Sequence, residues 1–301
     1  MGASTLAELH AHARAALEKA AVAEARLDAR LLTEQATGTT RKELVLTPAM
    51  EFDDAVRRRL VEMLARRAAG EPVHRIIGWR EFYGLPLALS QATLEPRPDT
   101  EALVDLVLPS VRAHAAVSSK CRILDLGTGT GAIGLALLGG EPSATAVLTD
   151  LSSEALATAC RNAEALGLLA RVTLAESDWF ENIAGRFDVI VSNPPYIRSS
   201  DIGLLQREVR EFDPARALDG GADGLDAYRA IASGAAEHLE PGGVVAVEIG
   251  AGQLADVSTI FEAAGLALEA VKRDLGGHER ALLFTLAGAT QKTLGTTEEC
   301  G

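Results

Sequence analysis

Asn193-Pro194-Pro195-Tyr196 is the stretch whose residue types could do chemistry on a planar nitrogen. An amide or aromatic amine nitrogen has two N–H donors and a lone pair delocalised into its π-system. The Asn193 side-chain oxygen and a proline-fixed backbone carbonyl could each accept one N–H. That would hold the nitrogen in line with an electrophile and favour localising its lone pair, through position and aimed dipoles. Tyr196 could then stack on the planar group. The bland alternative is that Asn-Pro simply ends a strand.

A second set of residues lies upstream. Arg122-Ile123-Leu124-Asp125-Leu126 reads as a strand running into Gly127-Thr128-Gly129-Thr130-Gly131, with a helix after it. Glycines let backbone turn tightly and approach a ligand closely. The spacing is nearer D-x-G-x-G-x-G than the dinucleotide fingerprint, and no phosphate-loop Lys-Ser/Thr pair follows. A strand from Ala144 ends in Asp150, placed where a carboxylate would grip a ribose diol; equally, that acid could cap the next helix near Ser152. A third strand leads to Ser177-Asp178-Trp179-Phe180. Asp178 could accept from an exocyclic adenine amine with Trp179 or Phe180 against the ring, or both aromatics could be core.

These residues need elements to place them. Val189-Ile190-Val191 reads as a buried parallel strand, and the prolines behind it cannot donate to a sheet, so it must stop. The result is a stiff corner at a strand's carboxyl end, where open α/β sheets bind ligands. The order of glycine strand, acid strand and Asn-Pro strand is that of a doubly wound sheet. Residues 5–69 read as a small helical bundle, with Leu6, Leu9 and Leu17 inward in the first helix, Leu27, Leu31 and Leu32 in the second, and Val56, Leu60, Met63 and Leu64 in the third. Arg57, Arg58, Arg59, Arg66 and Arg67 form its outer face, solvated or a docking surface. Residues 73–94 suggest a hairpin between two domains. The segment from Glu95 to Glu101 starts a helix and is a second candidate for the active-site rim. Ile197–Asp223 reads as a substrate-contacting loop, and the last two strands as an antiparallel edge hairpin.

Composition limits the alternatives. With 48% hydrophobic residues and 24% charged, the 301-residue chain is ordinary for a globular protein with a sizeable core. No run approaches the ~18 apolar residues of a membrane span, and the amino terminus lacks signal-peptide regions, so a cytoplasmic protein is expected. The three cysteines are odd in number and scattered, and with the histidines they lack zinc-ligand spacing, so neither disulfides nor metal are expected. Residues 1–80 carry 13 Lys/Arg against 11 Asp/Glu and the remainder 16 against 31. So acidic a catalytic portion matches duplex nucleic acid poorly.

DLGTGTG, the strand-end Asp150 and NPPY together resemble class I S-adenosylmethionine-dependent methyltransferases that act on planar nitrogens. More narrowly, the chain is similar over roughly residues 5–287 to the release-factor glutamine-N5 methyltransferases (the HemK/PrmC-like family). EPVHRIIGWREFYG, LEPRPDTEALV, SDWF, SNPPYI, DPARALDGGADGLDAYR and GGVVAVEIGAGQ carry that narrower likeness. Asp99, where glutamate is also common, and the longer tail are small departures.

The resemblance implies an α/β fold: a doubly wound, seven-stranded class I methyltransferase sheet with a small N-terminal helical bundle joined by a β-hairpin. The implied domains are 1–72 (helical, substrate-binding), 73–95 (hairpin linker), 96–287 (methyltransferase) and 288–301 (disordered tail). It implies S-adenosyl-L-methionine as cofactor, with Gly127 to Gly131 along its methionine and ribose parts, Asp150 on the ribose and Trp179 near the adenine. Asp125, Asp178 and Asn193 complete that set. Asn193 and the Pro194 carbonyl are assigned to a glutamine amide, with Pro195 alongside and Tyr196 stacked. The implied partner is a peptide-chain release factor, met by a monomer, with no direct nucleic acid and no membrane. Methylation of DNA or RNA amines, and a non-enzymatic cofactor-binding regulatory module, are the alternatives.

Overall fold

The structure, a computed structural model, describes residues 4–288. Residues 289–301 of the expected tail, Cys300 among them, lie outside the described residues. The chain begins with β1 (Ser4–Thr5), α1 (Leu6–Lys19), α2 (Ala25–Thr37), α3 (Arg41–Leu46), β2 (Glu51–Phe52), α4 (Asp54–Ala68) and α5 (Val73–Ile77). β3 (Trp79–Phe82), β4 (Leu85–Ala88), α6 (Glu101–Ser118), β5 (Cys121–Leu126), α7 (Ala132–Gly140), β6 (Ala144–Asp150), α8 (Ser153–Ala165) and β7 (Val172–Glu176) follow. Then come β8 (Phe187–Ser192), α9 (Arg207–Phe212), α10 (Asp226–His238), β9 (Leu239–Glu248), α11 (Leu254–Ala263), β10 (Leu266–Arg273) and β11 (Glu279–Leu286).

One compact unit comprises the residues up to Arg80 with Ala88–Gln91 and Leu204–Asp213. Its helices start on strong caps: Thr5 with Glu8 and Thr40 with Glu43 form capping boxes, and Asp53 accepts from two backbone N–H groups of α4. Leu9, Leu17, Leu32, Leu60 and Leu64 centre its apolar core. Two expectations fail here. Leu27 is exposed, because α2 turns inward a face of mostly small residues, Ala25, Ala29 and Ala36, around Leu32. Arg67 is not on the outer face but buried, donating from Nε to Asp28 Oδ2 at 2.6 Å and pairing with Glu208 at 2.7 Å. Arg57, Arg58, Arg59 and Arg66 are exposed as expected. Inside the same unit Arg75 donates to Asp213 at 2.7 Å, so the middle of the polar excursion after the Asn-Pro corner is held by ion pairs to the helical residues.

The second unit is built on a seven-stranded sheet of order β10-β11-β9-β8-β5-β6-β7. β9, β8, β5, β6 and β7 are parallel neighbours, whereas β11 runs antiparallel to both β9 and β10. Only β10 of the terminal hairpin is therefore an edge strand. Alternate residues of the central strands feed two apolar layers. Ile123, Val189 and Val191 pack with α6 and α7 on one face, while Leu124, Leu126 and Ile190 pack with α10 and α11 on the other. β3 and β4 form the expected hairpin, although Val73–Ile77 ahead of it is a helical turn.

Candidate functional site

β5, β6 and β8 end level. Leu126 pairs with Thr149 on one side and Ser192 on the other, and Ser192 Oγ donates to the Leu126 carbonyl at 2.8 Å. From β5 the chain builds the sheet outward through β6 and β7, while β8 leads the other way to β9. The gap between the loops leaving β5 and β8 is thus the topological switch point, where such sheets open a crevice. A cleft of about 1140 Å³, its open mouth included, lies there. Gly127, Thr128, Gly129, Thr130, Asp150, Asp178, Trp179, Asn193, Pro194 and Pro195 all line it. Asp125, Gly131 and Tyr196 do not.

The glycine loop bends at Gly127 (φ 67°) and Gly129 (φ 56°) in the left-handed region that side chains avoid. A Cβ built at either would meet no protein atom within 4 Å, so bare backbone borders the open cleft. Asp125 sits beneath the loop, accepting from Thr128 Oγ1 at 2.7 Å and from the Gly134 amide at 3.0 Å. Burial pushes its carboxyl up to about 7 against those hydrogen bonds. It shapes the loop from below rather than facing the cleft. Gly131 opens α7, and Asn162 Nδ2 donates to the Thr130 carbonyl at 2.8 Å to hold the turn.

Asp150 accepts from the Gly129 amide at 2.9 Å and from the Ser152 amide at 2.9 Å. Ser152 itself caps α8, so the acid braces the cap and still presents carboxylate edge to the cleft. Trp179 holds a positive φ of 46°, fixed by Ser177 Oγ donating to its carbonyl at 2.9 Å. Strain of that kind persists where surrounding contacts over-determine it. Trp179 lines the cleft and also packs on the core beneath, while Phe180 stacks on His238 at 4.6 Å.

At the Asn-Pro corner, Asn193 Nδ2 donates to Thr100 Oγ1 at 3.2 Å. That tether assigns the side chain's donor end inward and leaves Oδ1 as its acceptor. Among the described residues nothing donates to Asn193 Oδ1 or to the Pro194 carbonyl. Tyr196 is anchored at both its hydroxyl and its backbone. Its hydroxyl donates to Glu248 Oε1 at 3.4 Å, its carbonyl accepts from Gln253 Nε2 at 3.2 Å, and its ring packs on the core. Burial pushes the Tyr196 hydroxyl up to about 12, so it stays a donor.

Residues not singled out individually from sequence also line the cleft: Pro96, Arg97 and Thr100 from the EPRPDTE segment, and Arg216 and Ala217 from the excursion. Both stretches were rim or substrate-loop candidates as stretches, but nothing in their periodicity picks out the individual side chains. Taken together, the site offers an open glycine-lined trough, a carboxylate and an indole at one end, and two free oxygen acceptors on a rigid corner at the other.

Comparisons with known proteins place the chain in a family. The family described as "PrmC N-terminal domain" matches residues 8–78, and "Methyltransferase small domain" matches residues 104–210. A protein of Agrobacterium fabrum named "Release factor glutamine methyltransferase" is 50% identical over 282 residues, covering 94% of this chain and 97% of that one. A protein of the same name from Rhodospirillum rubrum is 48% identical over 269 residues, 89% of this chain and 81% of its own. Among solved structures, the hMettl16 catalytic domain in complex with MAT2A 3′UTR hairpin 6 aligns at a TM-score of 0.54 and 15% identity, over 78% of this chain and 82% of that one. That last likeness concerns the fold alone.

Proposed function

The chain belongs to the release factor glutamine methyltransferases, and from that premise we propose that it moves a methyl group from S-adenosyl-L-methionine to the side-chain amide nitrogen of the glutamine in the Gly-Gly-Gln motif of peptide-chain release factors. The observation that carries the reading is Asn193: its amide nitrogen is tethered to Thr100, so its oxygen remains for an incoming N–H beside the glycine-lined trough. S-adenosyl-L-methionine supplies, when bound, a methyl group on a positively charged sulfur that becomes a neutral thioether as the methyl leaves. The cleft fits it: open backbone at Gly127 and Gly129, the Asp150 carboxylate for a ribose diol, and the Trp179 and Asp178 end for the adenine.

The rest is work for this chain's own groups. Asn193 Oδ1 and the Pro194 carbonyl accept the two N–H groups of a primary carboxamide, orienting its nitrogen and stabilising charge as the lone pair localises. With a methyl group so supplied, the oriented nitrogen would gain an N–C bond in place of one N–H, whose proton would pass to water. Pro194 and Pro195 keep the corner from relaxing, because each has a ring-fixed φ. The N-terminal unit helps to bind the release factor, and residues 96–287 carry the chemistry. The experiment is incubation with labelled cofactor and either a release factor or nucleic acid, then mass spectrometry of the Gly-Gly-Gln peptide. Label on that glutamine is the expected result; label on nucleic acid alone overturns the reading.

A further inference from the structure

Glu248, at the end of β9, is a carboxylate almost fully withdrawn from solvent, at 2% exposure. It sits among groups from every neighbouring element. Tyr196, following β8, donates to its Oε1 at 3.4 Å, and Thr100, ahead of α6, donates to it as well. Tyr228 of α10 donates to its backbone carbonyl at 3.0 Å. Arg280 of β11 lies close enough to attract it, but that guanidinium is shared with Asp274 at 3.0 Å and Asp99 at 3.7 Å, and Asp99 repels Glu248. Oε2 has no hydrogen-bond partner among the described residues. Leaving a carboxylate oxygen buried and unmatched costs stability, so the acid calls for an explanation that packing does not supply.

The two hydroxyls on Glu248 lead to the two polar ends of the Asn-Pro-Pro-Tyr corner. Thr100 is the partner of Asn193 Nδ2, and Tyr196 closes the motif. Resting on the reaction proposed above, we infer that Glu248 is a positioning residue for methyl transfer, acting through Thr100 to orient the Asn193 amide and directly to fix Tyr196. A Thr hydroxyl has one proton and two lone pairs. When Glu248 takes the proton, Thr100 turns a lone pair to Asn193 Nδ2, and the asparagine must present Oδ1 to the substrate. A neutral partner at 248 can donate to Thr100 instead, compete with Nδ2 for the same lone pairs and let the amide flip. Burial pushes the Glu248 carboxyl up to about 7, which places its ionisation within the working range.

The test uses the full chain, S-adenosyl-L-methionine and a glutamine-bearing release-factor substrate, with wild type beside Thr100→Val, Thr100→Ser and Glu248→Gln. Thr100→Val, nearly isosteric, should lower kcat about tenfold or more while cofactor affinity, measured by calorimetry, stays within about threefold; Thr100→Ser should recover most of the loss. Wild-type kcat should fall as pH drops through about 7, and Glu248→Gln should lack that inflection. Full kcat in Thr100→Val, or the wild-type inflection persisting in Glu248→Gln, overturns the inference while leaving the reaction standing. A wild-type chain that binds cofactor and never methylates glutamine overturns the reaction, and the inference with it.

Discussion

Replacing Asn193 with alanine separates chemistry from folding. In the folded chain the side chain makes one neutral hydrogen bond, 3.2 Å to Thr100. Its loss should cost about 0.5–1.5 kcal/mol of stability, leaving the protein folded. In the reaction the same side chain is asked to accept an N–H whose nitrogen gains positive character. Removing one such preorganised dipole typically costs about 2.7–4 kcal/mol, or roughly 10²–10³ in kcat. Among the described residues the glycine loop and Asp150, which would hold the cofactor, make no hydrogen bond with that side chain, so cofactor affinity should change by less than about threefold. The assay is single-turnover transfer of labelled methyl to the Gly-Gly-Gln peptide, with calorimetric titration of the cofactor in parallel. A variant that transfers within about threefold of wild type would refute the assignment of Asn193 as an acceptor for the substrate amide.

Other expectations are independent of that residue. Asp150→Ala removes the acceptor for the Gly129 and Ser152 amides and the carboxylate at the ribose end, so cofactor affinity should fall by about tenfold or more in calorimetry. Asp125 and Glu248 are both pushed up to about 7 by burial, so the folded state holds their protons where the unfolded chain has released them. Their contribution is therefore fully present below the ordinary carboxylate range and lost as pH rises toward 7, on the order of 3 kcal/mol for each group. Urea midpoints measured from pH 4.5 to 8 should show this decline, and Asp125→Asn and Glu248→Gln should each flatten it. In the helical unit, Asp28→Ala strands the buried Arg67, with Glu208 as its remaining carboxylate; the loss should approach about 3 kcal/mol by chemical denaturation. Replacing Asp28 and Arg67 together with leucine and methionine should cost much less.

Much of the methyltransferase sheet is legible because its signals are local. A β-branched run stopped by two prolines, and a strand that breaks into alternating glycines, each announce themselves within ten residues. Their meeting at one edge follows from parallel connectivity. The Asn193–Thr100 tether is different, since its partners lie 93 positions apart and neither residue type implies the other. Arg67 fails for the same reason: within α4 it reads as one more charge in a basic run, and Asp28, 39 positions earlier, together with the distant Glu208, makes its burial tolerable. Leu27 misleads because leucine outweighs alanine in any hydrophobic count, although α2 needs small residues where it crosses its neighbours. The bond from the Tyr196 hydroxyl to Glu248 is equally non-local, because it depends on β9 lying beside β8.

The most direct measurement is a crystal structure of the chain with the demethylated product cofactor and a Gly-Gly-Gln peptide. The account requires the cofactor's sulfur and the Asn193 oxygen to face the same glutamine nitrogen, from the glycine-loop side and the proline-corner side of one cleft. A sulfur remote from that corner, or an Asn193 oxygen turned inward with its nitrogen toward the peptide, would contradict it.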